Sequence, residues 1–215
     1  MNTTNTTLHN ELSPSSYPEY WEESYLSGEM GWDLGGPTPV FKAWIKTEKS
    51  PLKICILGAG NGWDAIEFAQ SGHEVTAVDF AESAVNNLKK TADENVVEID
   101  IIHSDIFNLE STYYNTFDIV LEYTCFCAID PSLRKNYIQL VNSLLKTGGR
   151  FVGLLFPTDK LPEEGGPPFA VNIDETIKIF KKFFTLEKRQ EHELSVSPRK
   201  GREEFIILRK HGYQD

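Results

Sequence analysis

The chain has 215 residues, enough for one domain with a sizeable core. Its 32 acidic residues outweigh 21 basic ones, and a net charge of −11 repels nucleic acid and anionic membrane surfaces, which argues against both as partners. No stretch is apolar for long enough to cross a bilayer, and the three cysteines suit reduced thiols in a cytoplasmic protein.

Residues 1–16 are rich in Asn, Thr and Ser with no basic start or apolar run, so they read as a disordered tail rather than a signal peptide, leaving 17–215 as a single domain. A short helix starts near Pro18, carries Trp21 and Tyr25 one turn apart, and stops at Gly28. Trp32 follows in a glycine-rich loop, and a second helix runs from about Pro39 to Lys46. Periodicity alone reads these aromatics as core; residues 17–46 would then form a helical cover on the domain.

Lys53 to Leu57 is a short apolar run of the kind buried on both faces of a parallel sheet, and it breaks at Gly58-Ala59-Gly60-Asn61-Gly62. Helical propensity follows from Asp64 to Ala69 with Gly72 as the stop, and Glu74 to Val78 returns as strand before Asp79. Such a unit brings the turn's backbone and the helix N-terminus to a ligand, with a carboxylate about 20 positions on to accept two ribose hydroxyls. The dinucleotide fingerprint wants glycines at its first, third and sixth places. Gly58 and Gly60 fit, but the sixth is Trp63 and the third glycine is Gly62. G-x-G-x-G followed by a bulky residue resembles the nucleotide loop of class I S-adenosylmethionine methyltransferases, and that resemblance puts S-adenosylmethionine ahead of NAD, with a turn that binds nothing still open.

Further on, Ser83 to Thr91 reads as helix and Val97 to His103 as a strand ending at Asp105-Ile106, beyond the strand's carboxyl end where ligands of doubly wound sheets lie. Asp105 would accept from an adenine amine with Ile106 against the ring; the plainer reading of Asp105 is a turn residue. Phe117 to Glu122 is a strand, Leu133 to Leu145 a helix closed by Gly148-Gly149, Arg150 to Phe156 a strand, and Thr176 to Lys182 helical. Phe184 to Lys188 and Glu204 to Leu208 are close enough to pair antiparallel, making seven strands in an α/β, Rossmann-like sheet of the class I methyltransferase type, mostly parallel, with helices on both faces. Cys125-x-Cys127 supplies only two ligands with no His or Cys pair nearby, so no metal site is expected.

The stretch Phe117 to Pro131, which contains Phe126-Cys127-Ala128-Ile129-Asp130-Pro131, and Gly165-Gly166-Pro167-Pro168-Phe169 resemble the thiopurine methyltransferase superfamily. With Pro198-Arg199-Lys200-Gly201-Arg202-Glu203 they look most like its halide and thiol branch, the harmless-to-ozone-layer type, from about Tyr20 to the C-terminus. The resemblance implies that Trp21, Tyr25 and Trp32 border the methionine and sulfonium end of S-adenosylmethionine. It further implies Gly58, in the loop with Gly60, at the carboxylate end, Asp79 at the ribose, Asp105-Ile106 at the adenine, and Tyr123 facing the transferred methyl. Tyr25 departs from a tryptophan of the plant branch, and Glu122-Tyr123 replaces the Asp-Arg of thiopurine enzymes.

Methyl transfer from a sulfonium is an in-line displacement that needs near-attack geometry and no water. The expected acceptor is a small soft nucleophile such as a halide, thiocyanate, hydrosulfide or thiol. Tyr123 would place it, Trp32 would border it, and Arg199, Lys200 and Arg202 are candidates for the local positive charge that an acidic protein needs to admit an anion. A thiopurine-type enzyme for aryl thiols is the alternative, and a non-catalytic S-adenosylmethionine sensor is a second. A monomer is expected.

Overall fold

The computed structural model describes residues 12–212. Helix α1 (Pro18–Ser27) opens on the expected proline and is stopped by Gly28 in the left-handed conformation, φ 77°. Helix α2 (Pro39–Ile45) leads into strand β1 (Lys53–Leu57), helix α3 (Trp63–Gln70), strand β2 (Glu74–Asp79), helix α4 (Glu82–Asn95) and strand β3 (Asp100–His103). Then come β4 (Phe117–Tyr123), α5 (Arg134–Leu144), β5 (Leu145–Leu155), α6 (Ile173–Phe180), β6 (Phe184–Gln190) and β7 (Glu204–Lys210).

The seven strands form one sheet in the order β3-β2-β1-β4-β5-β7-β6, parallel except for β7, which pairs antiparallel with both β5 and β6. Alternation along the central strands buries both faces. Ile54, Ile56, Ile119 and Leu121 pack with Phe41 of α2, Phe68 of α3 and Leu88 of α4, while Cys55, Leu57 and Val120 pack with Val141 of α5 and Phe180 of α6. Since apolar burial is the main favourable term in folding, these two layers fix the sheet, and the sheet fixes the line of strand ends where ligands gather.

Three expectations change. The fourth helix extends to Asn95 and closes over Val96 in the left-handed region, φ 55°, with Val97 N–H donating to the Ala92 carbonyl at 3.1 Å, so the strand expected from Val97 begins at Asp100. Gly148-Gly149 do not close a helix. Helix α5 already ends at Leu144, and the two glycines lie inside β5 at a shift in its register with β4, where a Cβ on Gly149 would stand 3.0–3.1 Å from three backbone carbonyl oxygens. The tail reading fails for its described end: Pro14–Ser16 form a 3-10 turn, with Ser15 buried; residues 1–11 lie outside the described part. No helix among the described residues is long and apolar enough to cross a membrane.

Candidate active site

The carboxyl ends of β1, β2, β3 and β4 meet at one edge of the sheet, between the two directions in which strand order runs from β1. The loop after β1 carries Gly58, Gly60 and Gly62 at φ 66°, 57° and 77°. The reason for glycine differs by position. A Cβ on Gly58 would meet Cys125 Cβ and Sγ at 3.0 Å, and one on Gly62 would lie 1.9 Å from Leu88 Cδ1, so the loop is pressed on the β4 end and on α4 at once. Asp79, at the last position of β2, holds the loop from the third side. Its Oδ2 accepts from Gly60 N–H at 2.8 Å and its Oδ1 from Ala81 N–H at 3.0 Å. Burial raises its pKa, against the pull of those backbone donors.

The N-terminal segment lies over this loop. Trp32 packs edge-on against Trp21 at 5.1 Å and against Tyr25 at 5.7 Å between ring centroids, and the Tyr25 hydroxyl would be 3.1 Å from a Cβ on Gly60. Trp21 Nε1 donates to the Ser15 carbonyl at 2.8 Å, and Glu22 accepts from the backbone and hydroxyl of Ser83, tying α1 to the start of α4. A carboxylate that sequence reasoning did not single out completes the fastening. Asp33 Oδ1 accepts from Trp63 Nε1 at 2.8 Å and from Gly35 N–H at 2.6 Å, and its Oδ2 accepts from Asn61 Nδ2. Trp63, which occupies the place of the missing sixth glycine, therefore serves as a donor to the cover.

Between cover and sheet lies a cavity of about 1040 Å³. Trp21, Tyr25, Trp32, Gly58, Gly60, Asp79, Asp105 and Ile106 all line it, so eight expected cofactor residues from four separate segments come together. Asp105 is both things it was read as: its Oδ1 caps the following 3-10 turn by accepting from Phe107 N–H at 2.9 Å, while the residue also faces the cavity. The loop after β4 is held by Glu122, 1% exposed, which accepts from Phe126 N–H at 2.7 Å and from the Tyr137 hydroxyl at 2.6 Å without itself lining the cavity. Burial lifts its pKa to about 7. Cys125 and Cys127 line the cavity, and burial pushes Cys127 up to about 12 and Cys125 well above its ordinary value, so both stay thiols and poor nucleophiles at neutral pH.

Arg199 is 5% exposed and lines the same cavity, as do Phe156, Pro167 and Pro168. Its guanidinium lies 4.7 Å from the centre of the Tyr123 ring and 5.3 Å from that of Phe156, and its Nη2 donates to the Trp32 carbonyl at 2.7 Å. Its Nη1 is buried with no hydrogen-bond partner among the described residues. Two expectations need correction here. Tyr123 is not among the cavity-lining residues: its hydroxyl donates to Glu203 Oε2 at 3.1 Å and its ring supports Arg199, because the side chain at the end of β4 turns to the α2 face, edge-on to Phe41. Burial also raises its pKa, so it remains a neutral phenol. Lys200 is exposed and does not line the cavity, since the 3-10 turn Ser197–Arg199 sends neighbouring side chains apart. Arg202 lines the cavity over Phe156 but spends its charge on Asp159, at 2.7 Å.

The family model described as thiopurine S-methyltransferase matches residues 16–214. Among curated proteins, the chain is 34% identical over 189 residues to a probable thiol methyltransferase 2 of Arabidopsis thaliana, covering 86% of this chain and 82% of the other. It is 28% identical to thiocyanate methyltransferase 1 of the same plant, covering 93% and 86%. A thiopurine S-methyltransferase of Shewanella woodyi is 26% identical, covering 92% and 97%. Among solved structures, the 1,6-didemethyltoxoflavin-N1-methyltransferase of Burkholderia thailandensis, with bound S-adenosylhomocysteine, superposes with a TM-score of 0.75 at 21% identity, covering 92% of this chain and 88% of the other, a likeness of fold.

Proposed function

From the premise that the chain belongs to the thiopurine S-methyltransferase family and is an S-adenosylmethionine-dependent methyltransferase, we propose that its acceptor is a small soft nucleophile: a halide, thiocyanate, hydrosulfide or simple thiol. The site suits the cofactor in its own terms. A loop without side chains at Gly58 and Gly60 leaves backbone open to a polar ligand end, Asp79 offers a carboxylate for a diol, and Ile106 beside Asp105 offers an apolar face and an acceptor for a purine. When bound, the cofactor supplies a methyl on a sulfonium. Trp21, Tyr25 and Trp32 exclude water from it and present ring faces and edges, which lets the charge attraction between acceptor and sulfonium grow as the local dielectric falls.

The observation that carries the acceptor class is the unpartnered Nη1 of Arg199. A guanidinium buried between two rings, with one donor unsatisfied, lacks a partner that a weakly hydrated anion would provide at little desolvation cost. Net charge of −11 repels such an anion at a distance, so a fixed local cation is what admits it. Arg199 therefore takes the orienting role expected of Tyr123, with Tyr123 and Glu203 behind it. A second reading is an aryl or heterocyclic thiol, since a cavity of about 1040 Å³ lies just above the roughly 300–1,000 Å³ of single-ligand pockets and leaves room for a ring-sized acceptor beside the cofactor.

The test is an acceptor panel of iodide, thiocyanate, hydrosulfide, an aryl thiol and a thiopurine, assayed in parallel for methylated product and S-adenosylhomocysteine. Turnover of the anions, reduced in Arg199→Gln, is expected. Turnover of the thiopurine alone would replace the proposal with the second reading, and cofactor binding without methylation of any acceptor would leave a sensor.

A further inference from the structure

The cover and the acceptor corner are joined through one dipeptide. Asp33 fixes itself by its carboxylate to Asn61 and Trp63, the two residues flanking Gly62 in the cofactor loop. The preceding residue, Trp32, presents its carbonyl to Arg199 Nη2 at 2.7 Å. Asn61 is not free to turn, because its Oδ1 accepts from Asn87 Nδ2 at 2.9 Å. Beyond that bond the guanidinium lies beside the Tyr123 phenol and the Phe156 ring, its centre 4.7 and 5.3 Å from the two ring centroids. Among the described residues the Trp32 carbonyl is the acceptor that holds the guanidinium, and that bond helps set where the unpartnered Nη1 points.

We propose that Asp33 is a positioning residue for the acceptor: by clasping the Trp32–Asp33 dipeptide to the cofactor loop, it aims Arg199 at the nucleophile. The proposal rests on the reading of Arg199 as the acceptor's anchor. It makes the acceptor site depend on the seating of the cover, and Trp63 is a tryptophan because its indole N–H is half of the clasp.

The experiment is a double-mutant cycle on thiocyanate methylation at saturating cofactor, using Asp33→Asn, Arg199→Gln and the double variant, with S-adenosylhomocysteine affinity measured by calorimetry in each. Asp33→Asn turns one oxygen into a donor facing the Asn61 amide, so the clasp loses a bond while the volume is kept. It should raise the acceptor KM and lower kcat/KM roughly tenfold, and have no further effect in the Arg199→Gln background. S-adenosylhomocysteine affinity should change by less than about threefold. If Asp33→Asn does not fold, Trp63→Phe, which keeps an aromatic ring and removes the donor, takes its place in the cycle. Multiplicative effects of the two substitutions, or a loss confined to cofactor affinity, would overturn the clasp. If Arg199→Gln alone leaves kcat/KM for thiocyanate intact, it is the anchor reading that fails instead.

Discussion

Replacing Glu122 by glutamine isolates one buried charge at the end of β4. The folded protein lifts the pKa of this carboxyl from 4.5 to about 7, chiefly by burial, with the Tyr137 hydroxyl and the Phe126 N–H opposing. A raised carboxyl favours the folded state while protonated, so its contribution is complete below the unfolded value and is lost as pH rises through about 7. A tenfold change in proton affinity is worth about 1.4 kcal/mol, so ionisation costs the folded state about 3 kcal/mol in all, and about 2 to 3 kcal/mol of that falls between about pH 5 and about pH 8. For a chain of this length each kcal/mol moves Tm by roughly 2–4 °C, so the expected drop is about 5–10 °C. The glutamine of Glu122→Gln has nearly the same volume, accepts from Phe126 N–H through its carbonyl and donates to the Tyr137 oxygen through its amide, with no charge to lose. The assay is Tm against pH for both proteins at matched ionic strength. Asp64, raised to about 6, and Asp79, also raised, add the same slope to both, so the difference between profiles is what counts. Parallel profiles would refute the account of Glu122.

Asp79→Asn should weaken S-adenosylhomocysteine binding by roughly 1–3 kcal/mol in calorimetry, because one oxygen that serves the loop and the diol becomes a donor; unchanged affinity would remove Asp79 from the site. Gly62→Ala should lower stability by about 1–3 kcal/mol, since its Cβ has no room against Leu88 and the left-handed backbone disfavours any side chain; a denaturant melt with an unchanged midpoint would contradict the packing of loop on α4. No histidine lies between Phe117 and Pro131, and Tyr123 stays neutral, so kcat/KM for iodide should be level from about pH 6 to about pH 8 while that for a simple thiol rises close to tenfold per pH unit below its pKa of about 8.5. A level thiol profile would mean that the site removes the proton itself.

Local pattern determined the parts of this protein that local physics controls. Apolar runs of strand length, glycines where the backbone turns left-handed, and a carboxylate at the end of β2 were enough for the sheet, its antiparallel last strand and the cofactor loop, because those features depend on a residue and its near neighbours. Element ends were less legible: nothing in Val96 announces a left-handed helix stop, and Gly148-Gly149 look like one until the register of β5 on β4 is known. The acceptor corner was beyond sequence. Arg199, Lys200 and Arg202 are equal there as basic residues of one turn, and only packing buries the first between two rings, exposes the second and pairs the third with Asp159. Tyr123 stands at the right strand end, yet which way its side chain faces is a property of the sheet and of Phe41, not of the motif around it. The bonds of Asp33 to Trp63 and of Trp32 to Arg199 span 30 and 167 positions, and a hydrogen bond of that reach exists only once the core has brought both partners to the same edge of the sheet.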